Sequence, residues 1–316
     1  LGATQGIAPV IQALSPRDLV ELSLLPSPEL ANQARSKALI GKEQGLRPLA
    51  TLLAQWLPLK VVRHSLVWRE GGRLRGLVSA RSLSSPKAWE IDYLAIAPEE
   101  LQAAASLLER LSALGAGKKT ARVFLRLELD SPLVEAAIRA DFAKYATERL
   151  YLAQGRPPQL PQADPRYSFR PEAAPDEPHL FTLYSVAIPT PVRQAQGMTR
   201  QEWRDNRDES LPGKRAVCLK GDSLVGWFRV RATPKLSHFE VMAHPDEGGS
   251  GLESMLAQIL AQMPRNSPLA CIVPQFQSQL ALTLSSLGFE PGVEHACFVK
   301  QLTVPVTEPR FAPARA

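Results

Sequence analysis

Apolar and polar residues alternate from Leu236 to Ala243, stop at His244-Pro245, and resume with helical spacing at Leu252, Met255, Leu256, Ile259 and Leu260. Strand side chains point to alternate faces, whereas a helix returns to the same face about every 3.6 residues, so this stretch predicts a strand followed by an amphipathic helix. Gly248, Gly249 and Gly251 lie between the two. Glycines ahead of a helix leave backbone N–H groups bare at the positive end of its dipole, where a phosphate can approach without meeting a side chain. The segment is either such an anion cradle or a glycine-rich turn into an ordinary helix.

The same patterning organises the rest of the chain. Ile7 to Ala13 reads as a strand, and Ser15-Pro16-Arg17-Asp18 opens a helix with a capping serine and a proline in the first turn. Pro26-Ser27-Pro28-Glu29 opens another, before a mostly helical or irregular region to about Leu57. Val61 to Glu70 and Leu74 to Ser82 predict a hairpin about Gly71-Gly72. Next come a strand from Ala88 to Ile96, a helix from Ala97-Pro98 to about Leu114, a strand from Val123 to Leu129, a helix from Ser131-Pro132 to about Phe142, and a strand from Glu148 to Ala153.

After Asp164 the order repeats. Tyr167 to Arg170 is a strand, Pro178 to Val186 a helix, and Pro189 to Asp205 a proline-broken helical stretch. Arg215 to Lys220 and Ser223 to Ala232 form a hairpin about Gly221-Asp222, followed by the Leu236 strand and its helix. A strand from Leu269 to Val273, a helix from Ser278 to Leu287 and a strand from His295 to Thr303 complete it. The recurrence of so many elements in one order predicts an internal duplication.

Length and composition agree with this division. A chain of 316 residues suits two domains, and 45% hydrophobic with 22% charged residues is a folded composition. Gly155 to Asp164, stiffened by three prolines, reads as a linker, which predicts domains over 1–154 and 166–316 with a linker over 155–165. No apolar run is long enough for a membrane helix and the first residues lack signal-like features, so the expectation is a soluble cytoplasmic protein. The net charge of +6 is spread along the chain, a weak footprint for nucleic acid. Cys218, Cys271 and Cys297 each fall in an apolar strand and are expected to be buried reduced thiols; the five histidines show no metal-ligand spacing. Trp68, Trp89 and Tyr93 are expected in the core.

Val241 to Leu256 (V-M-A-H-P-D-E-G-G-S-G-L-E-S-M-L), with Leu287-Gly288-Phe289 before the last strand, resembles the GNAT-type N-acyltransferases. The resemblance implies an α/β (α+β) chain of two tandem GNAT-like domains, each a mixed, mostly antiparallel sheet with helices on both faces. It also implies acetyl-CoA or another acyl-CoA as cofactor, its pyrophosphate held by Gly249, Ser250, Gly251 and Leu252 and its pantetheine arm along Val241 and Ala243. Glu247 and Glu253 flank the loop, and their charge opposes a pyrophosphate. Glu240 is then the first candidate base and His244 the second; exposed strand and turn residues are the plain alternatives. The family's phenol position is Leu284 here. Arg193, Arg200 and Trp203 fall where the family shapes its acceptor site, for a small-molecule or peptide amine, or they form a solvated face with one buried tryptophan. The first half has no glycine at its Ile96-Ala97-Pro98-Glu99-Glu100 junction, which predicts a degenerate copy without cofactor. Two other functions stay open: a non-catalytic binding or assembly module, and a tRNA-dependent aminoacyl transferase, which requires a basic groove between the domains.

Overall fold

The computed structural model describes residues 10–24, 30–37, 62–209 and 211–303. The expected start of the first strand at Ile7, the Pro26 helix start and most of the stretch up to Leu57 lie outside the described residues. The first half runs β1 (Val10–Ala13), α1 (Pro16–Leu24), β2 (Arg63–Glu70), β3 (Arg73–Ser82), β4 (Ala88–Ile96), α2 (Ala103–Gly117), β5 (Arg122–Glu128), α3 (Val134–Arg139) and β6 (Ala143–Ala153). The second runs β7 (Tyr167–Pro171), α4 (Glu177–Ala187), α5 (Thr190–Gln196), α6 (Arg200–Asn206), β8 (Lys214–Lys220), β9 (Ser223–Arg231), β10 (Ser237–Ala243), α7 (Gly248–Ala261), β11 (Leu269–Pro274), α8 (Ser278–Ser286) and β12 (Glu290–Gln301).

All the strands among the described residues join one 12-stranded sheet in the order β1-β2-β3-β4-β5-β12-β6-β11-β10-β9-β8-β7. It is mixed and mostly antiparallel, the parallel pairs being β4 with β5 and β10 with β11. Read inward from its two edges the order is the same, except that each half gives its last strand to the other. β12 pairs with β5 (Phe298 opposite Leu125), β6 pairs with β11 (Leu150 opposite Ile272), and β6 meets β12 antiparallel at the centre. The two sheets expected from the sequence are therefore one continuous sheet. β6 begins at Ala143, earlier than expected, because Val299 of β12 pairs there.

One face of the sheet is apolar along its length. Trp89, Ile91, Val123 and Leu125 meet Leu107, Leu108 and Leu111 of α2. In the second half Phe239, Val241, Cys271 and Val273 meet Leu252, Met255, Leu256 and Ile259 of α7. Each such side chain contributes about 1.5–3 kcal/mol on burial. Gly226 in β9 lets α7 approach closely, since a Cβ there would sit 2.4 Å from Met255 Sδ. Trp89 and Tyr93 are buried, Trp68 packs against the first core, and the three cysteines are free and buried, as expected.

The opposite face carries charge. Arg63 pairs with Asp92 at 2.6 Å, Arg81 with Glu90 and Asp208, Arg126 with Glu148 at 2.7 Å, and Arg229 with Glu240 at 2.6 Å. Over this face in the second half lie α4, α5 and α6, whose Leu180, Tyr184 and Trp203 form their own small core with Val217. No helix among the described residues is long and apolar enough to cross a membrane.

Candidate functional site

Each half contains a wedge where its two parallel strands part. In the second half β10 and β11 pair only over Ser237–Phe239 and Leu269–Cys271, so beyond Phe239 the edge of β10 from Glu240 to Ala243 is free of β11. Its other edge is paired to β9, Val241 opposite Phe228 and Ala243 opposite Gly226. The gap is spanned by one side chain, Gln277, whose Nε2 donates to Val241 O at 3.4 Å. Gln277 Oε1 is buried there without a partner. In the first half β4 and β5 pair over Ala88–Ile91 and Arg122–Leu125 and then part in the same way.

That first wedge is filled by the chain itself. Gln33 N donates to Leu94 O at 2.8 Å, Asn32 Nδ2 donates to Asp92 O at 3.0 Å, and Asn32 Oδ1 accepts from Leu94 N at 2.9 Å. On the other side Ala34 bridges to Leu127, and Arg35 N donates to Arg126 O at 2.9 Å. Residues 32–35 thus satisfy both strand edges that the divergence leaves bare, as buried backbone groups require.

At the far end of β10 the chain makes a 3-10 turn, Pro245–Glu247, before α7. The helix begins at Gly248, so the glycines expected in a preceding loop form its first turn. Gly251 is needed for close approach: a Cβ would lie 2.9 Å from Glu247 Cβ and 3.3 Å from the Tyr167 hydroxyl. Glu247 does not stand free to repel an anion. Its Oε2 accepts from Tyr167 Oη at 2.7 Å and Lys220 Nζ at 2.9 Å, and these two bonds hold its carboxyl below the usual range. With Glu247 at the N-cap, the amides of Gly249 and Ser250 precede the first intrahelical bond, the ordinary condition of a helix start, whereas those of Gly251 and Leu252 stand four residues after the carbonyls of Glu247 and Gly248.

A cavity of about 280 Å³ joins the second wedge to the space beneath α5 and α6. Val241, Met242, Ile272, Pro274 and Gln277 line its wedge end, and Tyr184, Ile188, Val192, Gln196 and Trp203 its roof. Glu240, the first residue past the divergence, lies between them. Burial alone raises its pKa, but Lys37, 3.5 Å away, and Arg229 overcome that and hold it down to about 2. The sequence makes Glu240 the first candidate base; paired in this way, its carboxylate is a weaker proton acceptor than an ordinary glutamate. The roof is tied to the first half: Arg122 donates to Glu202 at 2.7 Å, and Ser84 N donates to Arg207 O at 3.0 Å.

The other expected site residues divide. Trp203 is in the cavity wall, tilted against Phe181 and Tyr184 with the Arg207 guanidinium 4.8 Å over its ring. Arg193 is not brought there; it caps its own segment through Ile188 O at 3.1 Å and Thr190 Oγ1 at 3.2 Å. Arg200 faces Glu177 at 3.7 Å. His244 is away from Glu240 at the end of the strand, its Nδ1 accepting from Asp246 N at 3.2 Å. Leu284 is in the core. Missed in the sequence are Lys37, Arg126, Tyr145 and Glu148, all on the cavity wall but supplied by the first half. Tyr145 is a phenol whose pKa burial pushes well above its ordinary value. No local pattern marks these residues, because the strand exchange brings Arg126, Tyr145 and Glu148 to the site and the segment that fills the first wedge brings Lys37.

No protein-family model matches the chain, and no curated protein matches it. Solved structures do. The chain is similar to a tandem GNAT protein from the clavulanic acid biosynthesis pathway, 14% identical over 93% of this chain and 98% of that one, with a TM-score of 0.51. It is similar also to a GCN5-related N-acetyltransferase from Sphaerobacter thermophilus, 12% identical over 93% and 95% of the two chains, with a TM-score of 0.57.

Proposed function

We propose, from the premise that this chain has a tandem GNAT fold, that it is an acyl-CoA-dependent N-acyltransferase moving an acyl group, in this reading acetyl, to the primary amine of a small molecule or peptide. Residues 166–316 hold the cofactor, 155–165 link the halves, and 1–154 are a copy that keeps the fold without the cofactor. The observation that carries this reading is the contrast between the two wedges. One is filled by residues 32–35, while the other opens into a cavity reaching the roof helices.

In this reading the pantetheine arm lies along the free edge of Val241 and Ala243, and the pyrophosphate sits at the helix start from Gly249 to Leu252, against the amides of Gly249 and Ser250. Glu240 orients the acceptor as an ammonium, which releases its proton before attacking the thioester. Tyr145, which stays a protonated phenol on the cavity wall, donates a hydrogen bond to the departing thiolate, which takes its proton from the acceptor nitrogen. Trp203 shapes the acceptor end; Arg193 and His244 hold local backbone and take no part in the chemistry. The cavity wall carries both signs of charge, with Glu90, Glu148, Asp208 and Glu240 among its arginines, which favours a small acceptor over a polyanion such as tRNA.

Titration calorimetry with acetyl-CoA, followed by thiol release over a panel of primary amines, tests this. Binding at a single site, with turnover lowered about 10²-fold or more in Tyr145→Phe, is the expected result. A second reading, a non-catalytic binding module, is favoured by the tight pairing of Glu240 and by Leu284 at the phenol position. Absence of heat at millimolar acetyl-CoA decides for it.

A further inference from the structure

The segment that fills the first wedge also crosses to the second. Asn32, Ala34 and Ser36 are buried in alternation, as in an extended strand, and the next residue, Lys37, enters the cavity. Its Nζ lies 3.5 Å from Glu240 Oε2, and its charge also acts on Glu148. Among the described residues lining the cavity Lys37 is the one lysine, and so the one primary amine. It stands beside the carboxylate at the point where β10 and β11 part. In the acyl-CoA reading, a thioester whose arm followed the free edge of β10 would enter this same cavity, since Val241 and Met242 of that edge line it. The hydrogen bonds of Asn32 and Arg35 on either side of the first wedge hold the segment in place.

We propose that Lys37 is itself an acyl acceptor: the protein acylates its own Lys37 when acyl-CoA occupies the second wedge. This rests on the acyl-CoA reading of that wedge. The Lys37 ammonium releases one proton to solvent, and the free amine attacks the thioester carbonyl carbon. The N–C bond forms, the C–S bond breaks, and coenzyme A leaves as a thiolate that takes the second proton from nitrogen. The product is a neutral amide, so Glu240 is left with Arg229 as its cation and the place of the Lys37 charge falls vacant for an incoming amine. Lys37 thereby serves as the first acceptor and, until modified, as an occupant of the acceptor's seat.

The full chain incubated with acetyl-CoA and mapped by peptide mass spectrometry tests this. The expected result is one acetyl group on Lys37, at a rate that saturates with acetyl-CoA and does not change with protein concentration. Uncatalysed acetylation instead follows exposure and favours Lys87, whose side chain is 62% exposed, over Lys37 at 31%. Lys37→Arg keeps the charge beside Glu240 and is expected to fold with unchanged Tm and to remain unlabelled in that peptide. Calorimetric binding of acetyl-CoA without label on Lys37 overturns this inference and leaves the acyl-CoA reading standing. Neither binding nor label overturns both. Label on Lys37 that rises linearly with acetyl-CoA, without saturation, also overturns it, since that is solution chemistry.

Discussion

At the scale of single residues, acid is the condition that the charged face resists least. His295 is buried, and burial, with Arg126 nearby, pushes its pKa from 6.5 down to about 4; its Nδ1 has no partner. The unfolded chain therefore binds a proton here below pH 6.5 and the folded chain only below about 4, so this contribution is complete above 6.5 and is lost as pH falls between the two. The loss is on the order of 3 kcal/mol. His64 and His238, also pushed down by burial, act in the same sense. Glu240 adds a lower window: its ionised form stabilises the fold above 4.5, and this is lost as pH falls towards about 2. Denaturant melts across pH 7 to 4 are expected to show a falling midpoint for the native chain and a flatter profile for His295→Asn. Identical profiles contradict the assignment.

At the scale of elements, the start of α7 and the closure of the first wedge depend on different backbone devices. The first turn of α7 needs Gly251, because an added Cβ meets Glu247 Cβ at 2.9 Å and displaces the residue that Tyr167 and Lys220 fix. Gly251→Ala is therefore expected to weaken acetyl-CoA binding about 10-fold by calorimetry, with far-UV circular dichroism unchanged. The wedge-filling segment depends on Asn32, whose carboxamide bonds Asp92 O, Leu94 N and Ala34 N. Asn32→Ala leaves those buried groups unpaired at about 1–3 kcal/mol, which a thermal melt reads as a Tm lower by roughly 2–6 °C. A variant that melts with the native chain shows that the segment does not close the first wedge. The strand, helix and hairpin order of both halves was readable from periodicity, but residues 32–35 were not, since a strand-like insert held by side-chain amides has no alternating signature of its own.

At the scale of the whole molecule, the exchange of β6 and β12 makes the halves one folding unit. Val299 opposite Ala143 and Phe298 opposite Leu125 put the last strand of the chain into the first half, while Leu150 opposite Ile272 puts a first-half strand into the second. Proteolytic nicking between Arg156 and Asp164 is expected to leave two fragments that co-elute on size exclusion under native conditions. The 166–316 fragment expressed alone is expected to aggregate, because β11 then lacks β6 and exposes a bare edge. Separate elution of the nicked fragments, or a monodisperse second half, contradicts this. The same exchange explains why the cavity takes Tyr145, Glu148 and Arg126 from the half that has lost its own wedge.

The sequence by itself determined the local periods: which segments are strands or helices, the glycines at the start of α7, and the likeness of the two halves. Those follow from alternation, capping and turn residues, which act over a few positions. Only the tertiary structure decided that the sheet is continuous, that one wedge is filled and the other open, and that Glu240 is held by Lys37 and Arg229. These depend on contacts between residues far apart in sequence, such as Lys37 with Glu240 and Arg126 with Glu148, and no local pattern encodes which distant charge will meet which.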